Sequence, residues 1–213
     1  MIVQTMNSKE LLKEIFNDFI IVRRKAMYLT EGLRREALKS RSKYVQRIYE
    51  YRSKQYNNWI IIVDYYVGDP CFTVVVFYVD EFGLNGVRVD TDDRTLTHFP
   101  PHFLQRYNER FVIHGSLSKL DLLKRFISNN SLEAIHYKAI AETKQYSIFG
   151  RFKEGIGLGY KEVFSDIGKE FIHYKTFISN EMIFDGQRDD FNILGKYYNE
   201  GCEIFQKHNK KRA

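Results

Sequence analysis

The runs from Trp59 to Val67 and from Cys71 to Val79 are built largely from Ile, Val, Tyr, Phe and Trp, and Gly68-Asp69-Pro70 separates them. β-Branched and aromatic side chains fit a pleated, half-buried surface, and Gly-Asp-Pro is turn chemistry. The pair therefore predicts two adjacent antiparallel strands joined as a hairpin. The first run is interrupted by Asp64 and is far too short to span a bilayer. Composition changes abruptly at Asn57-Asn58, where a Lys/Arg-rich stretch gives way to this apolar one. The change divides the chain into a basic helical N-terminal arm, 1–56, and an α+β body, 57–213.

In the arm, apolar Leu11, Leu12, Ile15, Phe16, Phe19 and Ile20 recur at helical spacing behind Ser8, a suitable cap. Helix is expected to about residue 55, with a break near Gly32. In the body, Gly83 to Gly86 reads as a turn, and Val87 to Leu96 alternates well enough for a third strand, which makes strands over about 59–96. Pro100-Pro101 then opens a helix, since proline is tolerated where its missing donor is not needed. Gly115 ends it, Ser116 or Ser118 caps a second helix over Lys119 to Ile127, and Ser131 starts a third from Leu132 to about Ala141. Gln145 to Phe152, Gly155 to Val163 and Phe171 to Ile178 read as three more strands, about 145–179 in all, and a last helix covers about 190–207. The expected fold is α+β, with an antiparallel meander and helices packed on one side.

Residues 1–56 hold 13 Lys and Arg against 6 Asp and Glu, a net of +7, while 57–213 hold 20 against 21. The whole positive excess is in the arm. Its cations include Arg23, Arg24, Lys25, Arg34, Arg35, Arg41 and Lys43, with Tyr28, Tyr44, Tyr49, Tyr51 and Tyr56 interleaved. Cations for phosphates and flat rings for bases are the parts of a nucleic-acid-binding surface, and a solvated helical face with tyrosines packed beneath it is the competing reading. The C-terminal Lys207, Lys210, Lys211 and Arg212 read as a frayed tail.

Overall, 44% hydrophobic and 28% charged residues exclude disorder, collagen and coiled-coil arrays, and 15 Tyr with 17 Phe supply a large core. Cys71 and Cys202 lack CxxC spacing, which argues against a disulfide framework or a thiolate zinc site. No basic stretch leads into an apolar run at the N-terminus, so a cytoplasmic protein with no membrane partner is expected.

The densest polar segment runs from Thr97 to Arg110. If the helix opens at Pro100, His102, Arg106 and Arg110 stand at steps of four on one face, with His98 just before it. Two arginines at that spacing repel by about 0.2–0.5 kcal/mol unless an anion lies between them. Arginine grips phosphate oxygens, and histidine moves protons near neutral pH, so these are parts for cleaving a phosphodiester without a metal. Arginines paired to carboxylates and histidines packed in the core are the structural alternative. A metal site from His98, His102, His114 and the acids Asp90, Asp92 and Asp93 is a weaker reading, because prolines fill the space between the first two histidines. Gly155-Ile156-Gly157-Leu158-Gly159 lacks dinucleotide spacing and marks a bulge or a close backbone approach. On the last strand, alternation puts His173, Lys175, Phe177 and Ser179 on one side and Tyr174, Thr176 and Ile178 on the other. No GxSxG or GK[ST] is present, and no cofactor or metal is indicated.

The His102-x3-Arg106-x3-Arg110 stripe, followed by helices and a Gly-containing meander ending in Lys175-Thr176-Phe177-Ile178-Ser179, resembles the ribonuclease toxin superfamily typified by barnase, EndoU, the tRNase colicins and RelE. The resemblance covers roughly residues 97–180. It implies metal-independent cleavage of RNA by an endoribonuclease of toxin or mobile-element type, with an inhibitory protein as partner. It also implies His98 or His102 as acid or base, Arg106 and Arg110 on the phosphate, and Thr176 from the late strand. A non-catalytic nucleic-acid-binding protein and a metal-dependent hydrolase are the alternatives.

Overall fold

Helix α1, Ser8–Ser40, is set by its two ends and its buried stripe. The Asn7 side chain accepts from the Glu10 backbone N–H while the Glu10 carboxylate accepts from the Asn7 N–H, a reciprocal capping box. The cap is thus one residue before Ser8, which is already helical. Ile15, Phe19, Val22, Ala26, Leu33 and Ala37 form one buried stripe that carries the helix through Gly32 without a break. The helix stops at Ser40, well short of residue 55. Arg41 takes a left-handed conformation at φ 51°, and the Ser42 N–H closes on the Ala37 carbonyl at 3.0 Å.

The computed structural model describes the chain outside residues 67, 91–92, 113–116, 132, 140–144, 184–187 and 211–213, and the side chains at 190 and 202–210 are also excluded. The protein is α+β, with four α-helices and nine strands among the described residues. It divides into two compact units, Met1–Tyr78 with Glu203–Ala213, and Val79–Cys202.

In the first unit, β1, Tyr44–Arg52, pairs antiparallel with β2, Asn58–Tyr66, which pairs antiparallel with β3, Asp69–Asp80. The hairpin read from the sequence is the β2–β3 pair, in register from Asn58↔Phe77 to Tyr66↔Asp69. β1 takes the place of the expected last turns of helix. Its nine-residue ladder with β2 satisfies backbone groups on both strands, and that cooperative pairing outweighs a local helical pattern. β2 is buried on both faces from Trp59 to Val63, the pattern of a covered central strand. One buried carboxylate ties α1 to this sheet. Oδ2 of Asp18 accepts from Ser53 Oγ at 2.6 Å, Asn57 Nδ2 at 2.9 Å and Trp59 Nε1 at 2.8 Å.

The second unit holds β4, Gly83–Val89, β5, Thr95–Phe99, β6, Ala134–Ala139, β7, Gln145–Arg151, β8, Ile156–Phe164, and β9, Lys169–Ile178, in the spatial order β4-β5-β9-β8-β7-β6. Helices α2, Pro101–Tyr107, and α3, Lys119–Asn129, lie between β5 and β6 in sequence, and α4, Arg188–Lys210, follows β9. The sheet is mostly antiparallel, but it is not a simple meander. β5 and β9 run parallel, in register from Thr95↔Glu170 to His98↔His173. The expected single strand over Val87 to Leu96 is two strands, because the Asp93 N–H bonds back to the Asp90 carbonyl and Asp93 sits at φ 54°. The expected turn at Gly83 to Gly86 is instead the start of β4. In place of the expected helix from Leu132 to Ala141 stands β6, Ala134–Ala139, paired with β7 from Ala134↔Arg151 to Ala139↔Tyr146. Leu, Glu and Ala there favour helix locally, and pairing with β7, the next strand in the chain, overrides them.

Pro100 and Pro101 do open α2, with Pro100 as N-cap, and Ser118 caps α3 by accepting from the Asp121 N–H. The Gly115 helix stop and the Ser116 cap lie outside the described residues. The core of this unit is aromatic. Phe99, Phe103, Phe126, Phe152, Tyr174 and Phe177 pack with ring centroids 5.1–6.3 Å apart. A bulge opposite Leu158 and Gly159 leaves Lys175 without a register partner, so the inside–outside alternation on β9 changes phase there. Tyr174 and Phe177 consequently both reach the aromatic core, and Lys175 is exposed. The glycine run on β8 makes room for this. A Cβ on Gly157 would stand 2.5 Å from the Tyr174 ring, and one on Gly159 would stand 1.9 Å from the His173 carbonyl oxygen. No helix among the described residues is long and apolar enough to cross a membrane.

Candidate functional site

Parallel pairing of β5 with β9 places two histidines side by side. His98 Nδ1 is 3.4 Å from His173 Nδ1, and His98 Nε2 is 2.9 Å from Asn85 Oδ1. Asn85 Nδ2 donates to the Gly83 carbonyl, which fixes the amide so that its oxygen faces His98. A carbonyl oxygen only accepts, so His98 carries its proton on Nε2 and accepts at Nδ1 from the His173 Nδ1–H. His173 Nε2 is then the bare nitrogen, 3.5 Å from Glu162 Oε2 and outside hydrogen-bond geometry. Burial pushes His98 down to about 3, helped by the neighbouring His173. Burial also pushes His173 down to about 4, partly opposed by Glu162. Both rings are neutral at pH 7, and His173 is stacked on Tyr160 at 4.8 Å with its Nε2 buried and unpartnered.

The arginine stripe resolves differently. His102 is exposed on the first turn of α2. Arg106 donates to Glu109 at 2.9 Å. After Tyr107 the backbone continues as a π-helical turn, Asn108–Val112, which rotates Arg110 out of the regular phase, and its guanidinium donates to the Phe177 carbonyl. Thr176 is half-buried opposite Leu158. No hydrogen bond or ion pair among the described residues joins any two of His98, His102, Arg106, Arg110 and Thr176.

A third constellation is built around Asp90, which the sequence reading considered only as a metal ligand, from residues it otherwise did not select. Successive strand residues face opposite sides, so Thr97 lies across β5 from His98. Thr97 Oγ donates to Asp90 Oδ2 at 2.7 Å, and Arg88 Nε donates to Asp90 Oδ1 at 2.6 Å. The Arg88 guanidinium also meets Glu133, and the Tyr174 hydroxyl donates to the other oxygen of that carboxylate. The cluster is buried. Burial raises Glu133, opposed by the charge of Arg88, and burial with the Glu133 carboxylate holds the Tyr174 hydroxyl protonated. Arg88 stays charged because Asp90 and Glu133 outweigh the cost of its burial. The legible signal was the spacing Arg88-x-Asp90, which puts both on one face of a strand; Glu133, in a stretch that read as helix, carried none.

On the first unit, the exposed side of α1 carries Arg24, Tyr28, Glu31, Arg35 and Lys39 at steps of three or four, which places them on one face. Arg23, Arg34, Arg41 and Lys43 are exposed as well, and Lys25 is half-buried with its ammonium 5.4 Å from the Tyr28 ring centre. Glu31 pairs with Arg34 and Arg35, and Glu36 with Arg47 on β1. Tyr28 is 73% exposed and Tyr56 63%, so each ring presents surface to solvent although Lys25 lies over the first and Arg52 over the second.

Among the described residues no group of three or more His, Cys, Asp or Glu is gathered as a metal site requires, and His98 is committed to Asn85 and His173. Asp92 and His114 of the metal reading lie outside the described residues. No protein-family model, curated protein or solved structure matches the chain.

Proposed function

We propose that the protein binds nucleic acid through the exposed cationic face of α1 and β1. The observation that carries this reading is a charge of +7 confined to residues 1–56, in which Asp18, one of the six acids, is buried and solvent-exposed tyrosines stand among the cations. Cations neutralise phosphates whatever the base, and open ring faces stack on unpaired bases, so single-stranded RNA is the expected ligand. The test is fluorescence anisotropy of a labelled single-stranded RNA over a salt series. Arg24→Glu with Arg35→Glu and Lys39→Glu is expected to lower affinity at least tenfold at low salt and to flatten the salt dependence. Equal affinity and slope in wild type and variant would sink the reading.

Cleavage is the second reading: the directed Asn85–His98–His173 chain leaves a neutral imidazole nitrogen, His173 Nε2, which is buried and becomes a general base only where substrate binding opens a way to it. His173 would take the proton of a ribose 2′-hydroxyl, whose oxygen would attack the adjacent phosphorus. The bond to the 5′ oxygen would break, and that oxygen would leave as the alcohol by taking a proton from water, the resulting hydroxide being neutralised by the proton on His173. RNA incubated in chelator would give 2′,3′-cyclic phosphate ends with wild type and none with His173→Gln, while RNA retention persists. Retention without cleavage by both proteins leaves binding alone.

A further inference from the structure

On the Asp90 side of the second unit a half-open cavity of about 290 Å³ is lined by Asp90, Thr95, Ile135, Tyr137, Lys161, Glu170 and Ile172. Neither proposed reading uses it. Asp90 and Lys161 are held in place before any ligand arrives. Asp90 is fixed from behind by Arg88 and Thr97, which leaves lone pairs on a carboxylate that cannot swing away. Lys161 is only 8% exposed, an uncommon position for a lysine. Its ammonium lies 4.2 Å from the Tyr137 ring centre, 5.2 Å from that of Tyr146 and 3.1 Å from Glu170 Oε2. Ile135 and Ile172 supply apolar wall, and Glu170, 37% exposed in its side chain, can turn toward solvent.

The cavity thus offers one buried cation, a fixed carboxylate, a movable carboxylate and apolar surface together. A ligand with a single charge would face a like charge at one end, since Lys161 opposes a cation and Asp90 opposes an anion. A zwitterion with an apolar body matches both ends. We propose that this cavity binds a free α-amino acid with an apolar or aromatic side chain. Its carboxylate takes the place of Glu170 on Lys161, its ammonium is held by Asp90 and the displaced Glu170, and its side chain lies against Ile135, Ile172 and Tyr137.

The test is thermal unfolding of the full chain with millimolar L-phenylalanine or L-leucine, set beside N-acetyl-phenylalanine, which keeps only the carboxylate charge, and phenylalanine amide, which keeps only the ammonium. The zwitterions are expected to raise Tm by about 2–4 °C and the singly charged analogues by much less. Lys161→Met removes the carboxylate partner and Ile135→Trp fills the space; each is expected to abolish the shift, and titration calorimetry at 25 °C gives the same comparison should either variant unfold early. An equal response to a singly charged analogue, a shift that persists in both variants, or no binding of either zwitterion to wild type by both methods would overturn the assignment. Because no RNA enters the experiment, its failure is separate from failure of the nucleic-acid reading.

Discussion

In the first unit Arg24, Arg35, Arg41 and Lys43 stand exposed on α1 and the loop after it, whereas in the second Arg88 and Lys161 are buried against carboxylates. The same side-chain chemistry does different work in the two places. Exposed charges are hydrated and screened, contribute little to folding and are open to a polyanion. Buried charges have given up their water, so each depends on its protein partners and the fold depends on the set remaining whole.

The sharpest way to break this contrast is Arg88→Met. It leaves Asp90 and Glu133 buried without their shared cation and is expected to cost about 3–5 kcal/mol in denaturant unfolding. Adding Asp90→Leu and Glu133→Leu should recover much of the loss, because an apolar set of similar size has no unpaired charge. If the single variant is as stable as wild type, the cluster is not the buried ion set described above.

Acid and the loss of Asp18 come next, with effects of similar size. His98 and His173 are pushed below the ordinary histidine value when folded, so between about pH 6.5 and pH 4 the unfolded chain binds protons that the folded chain does not. Their contribution to stability is complete above about pH 6.5, shrinks as pH falls, and is gone once both titrate in the folded state, near 4 for His173 and near 3 for His98. Glu133 and Asp64, both raised by burial, act in the opposite sense as pH falls. The informative measurement is therefore the difference between wild type and His98→Gln: the wild type should lose more stability from pH 7 to pH 5, by an amount on the order of 1–2 kcal/mol. Parallel curves would mean that the pair is solvated.

Asp18 extends the comparison into the first unit, as the buried exception among its charges. Asp18→Ala would leave Trp59 Nε1 and Asn57 Nδ2 without their acceptor and is expected to cost about 1–3 kcal/mol. The smallest effect is expected on the exposed face. Arg24→Gln with Arg35→Gln should change stability by no more than about 0.5 kcal/mol while weakening RNA retention at low salt. A large loss of stability there would show that the face is structural.

Much of the local structure was legible in the chain itself. The β2–β3 hairpin, the opening of α2 at Pro100-Pro101, the Ser118 cap and strands β7 to β9 follow from residue type and spacing, because turns, caps and side-chain periodicity act over a few residues. The glycine run on β8 also read correctly as a bulge or close approach. β1 and β6 read as helix because their strand character comes from pairing with the strand that follows each in the chain, which residue type and spacing within the segment do not specify. The stripe of His102, Arg106 and Arg110 assumed a regular helix through residue 110, and the π-helical turn after Tyr107 removed that premise.

The sequence alone determined the α+β composition, the concentration of positive charge in residues 1–56 and several turn positions, since these depend on counts and neighbours. Tertiary structure decided which charges are buried and which residues meet. The parallel β5–β9 pairing brings His98 to His173 across 75 residues, and the return of the chain at β6 sets Glu133 beside Arg88 and Tyr174. Contacts of that kind depend on strand order and register, which are fixed by how a whole sheet buries its faces and pairs its backbone rather than by any one segment.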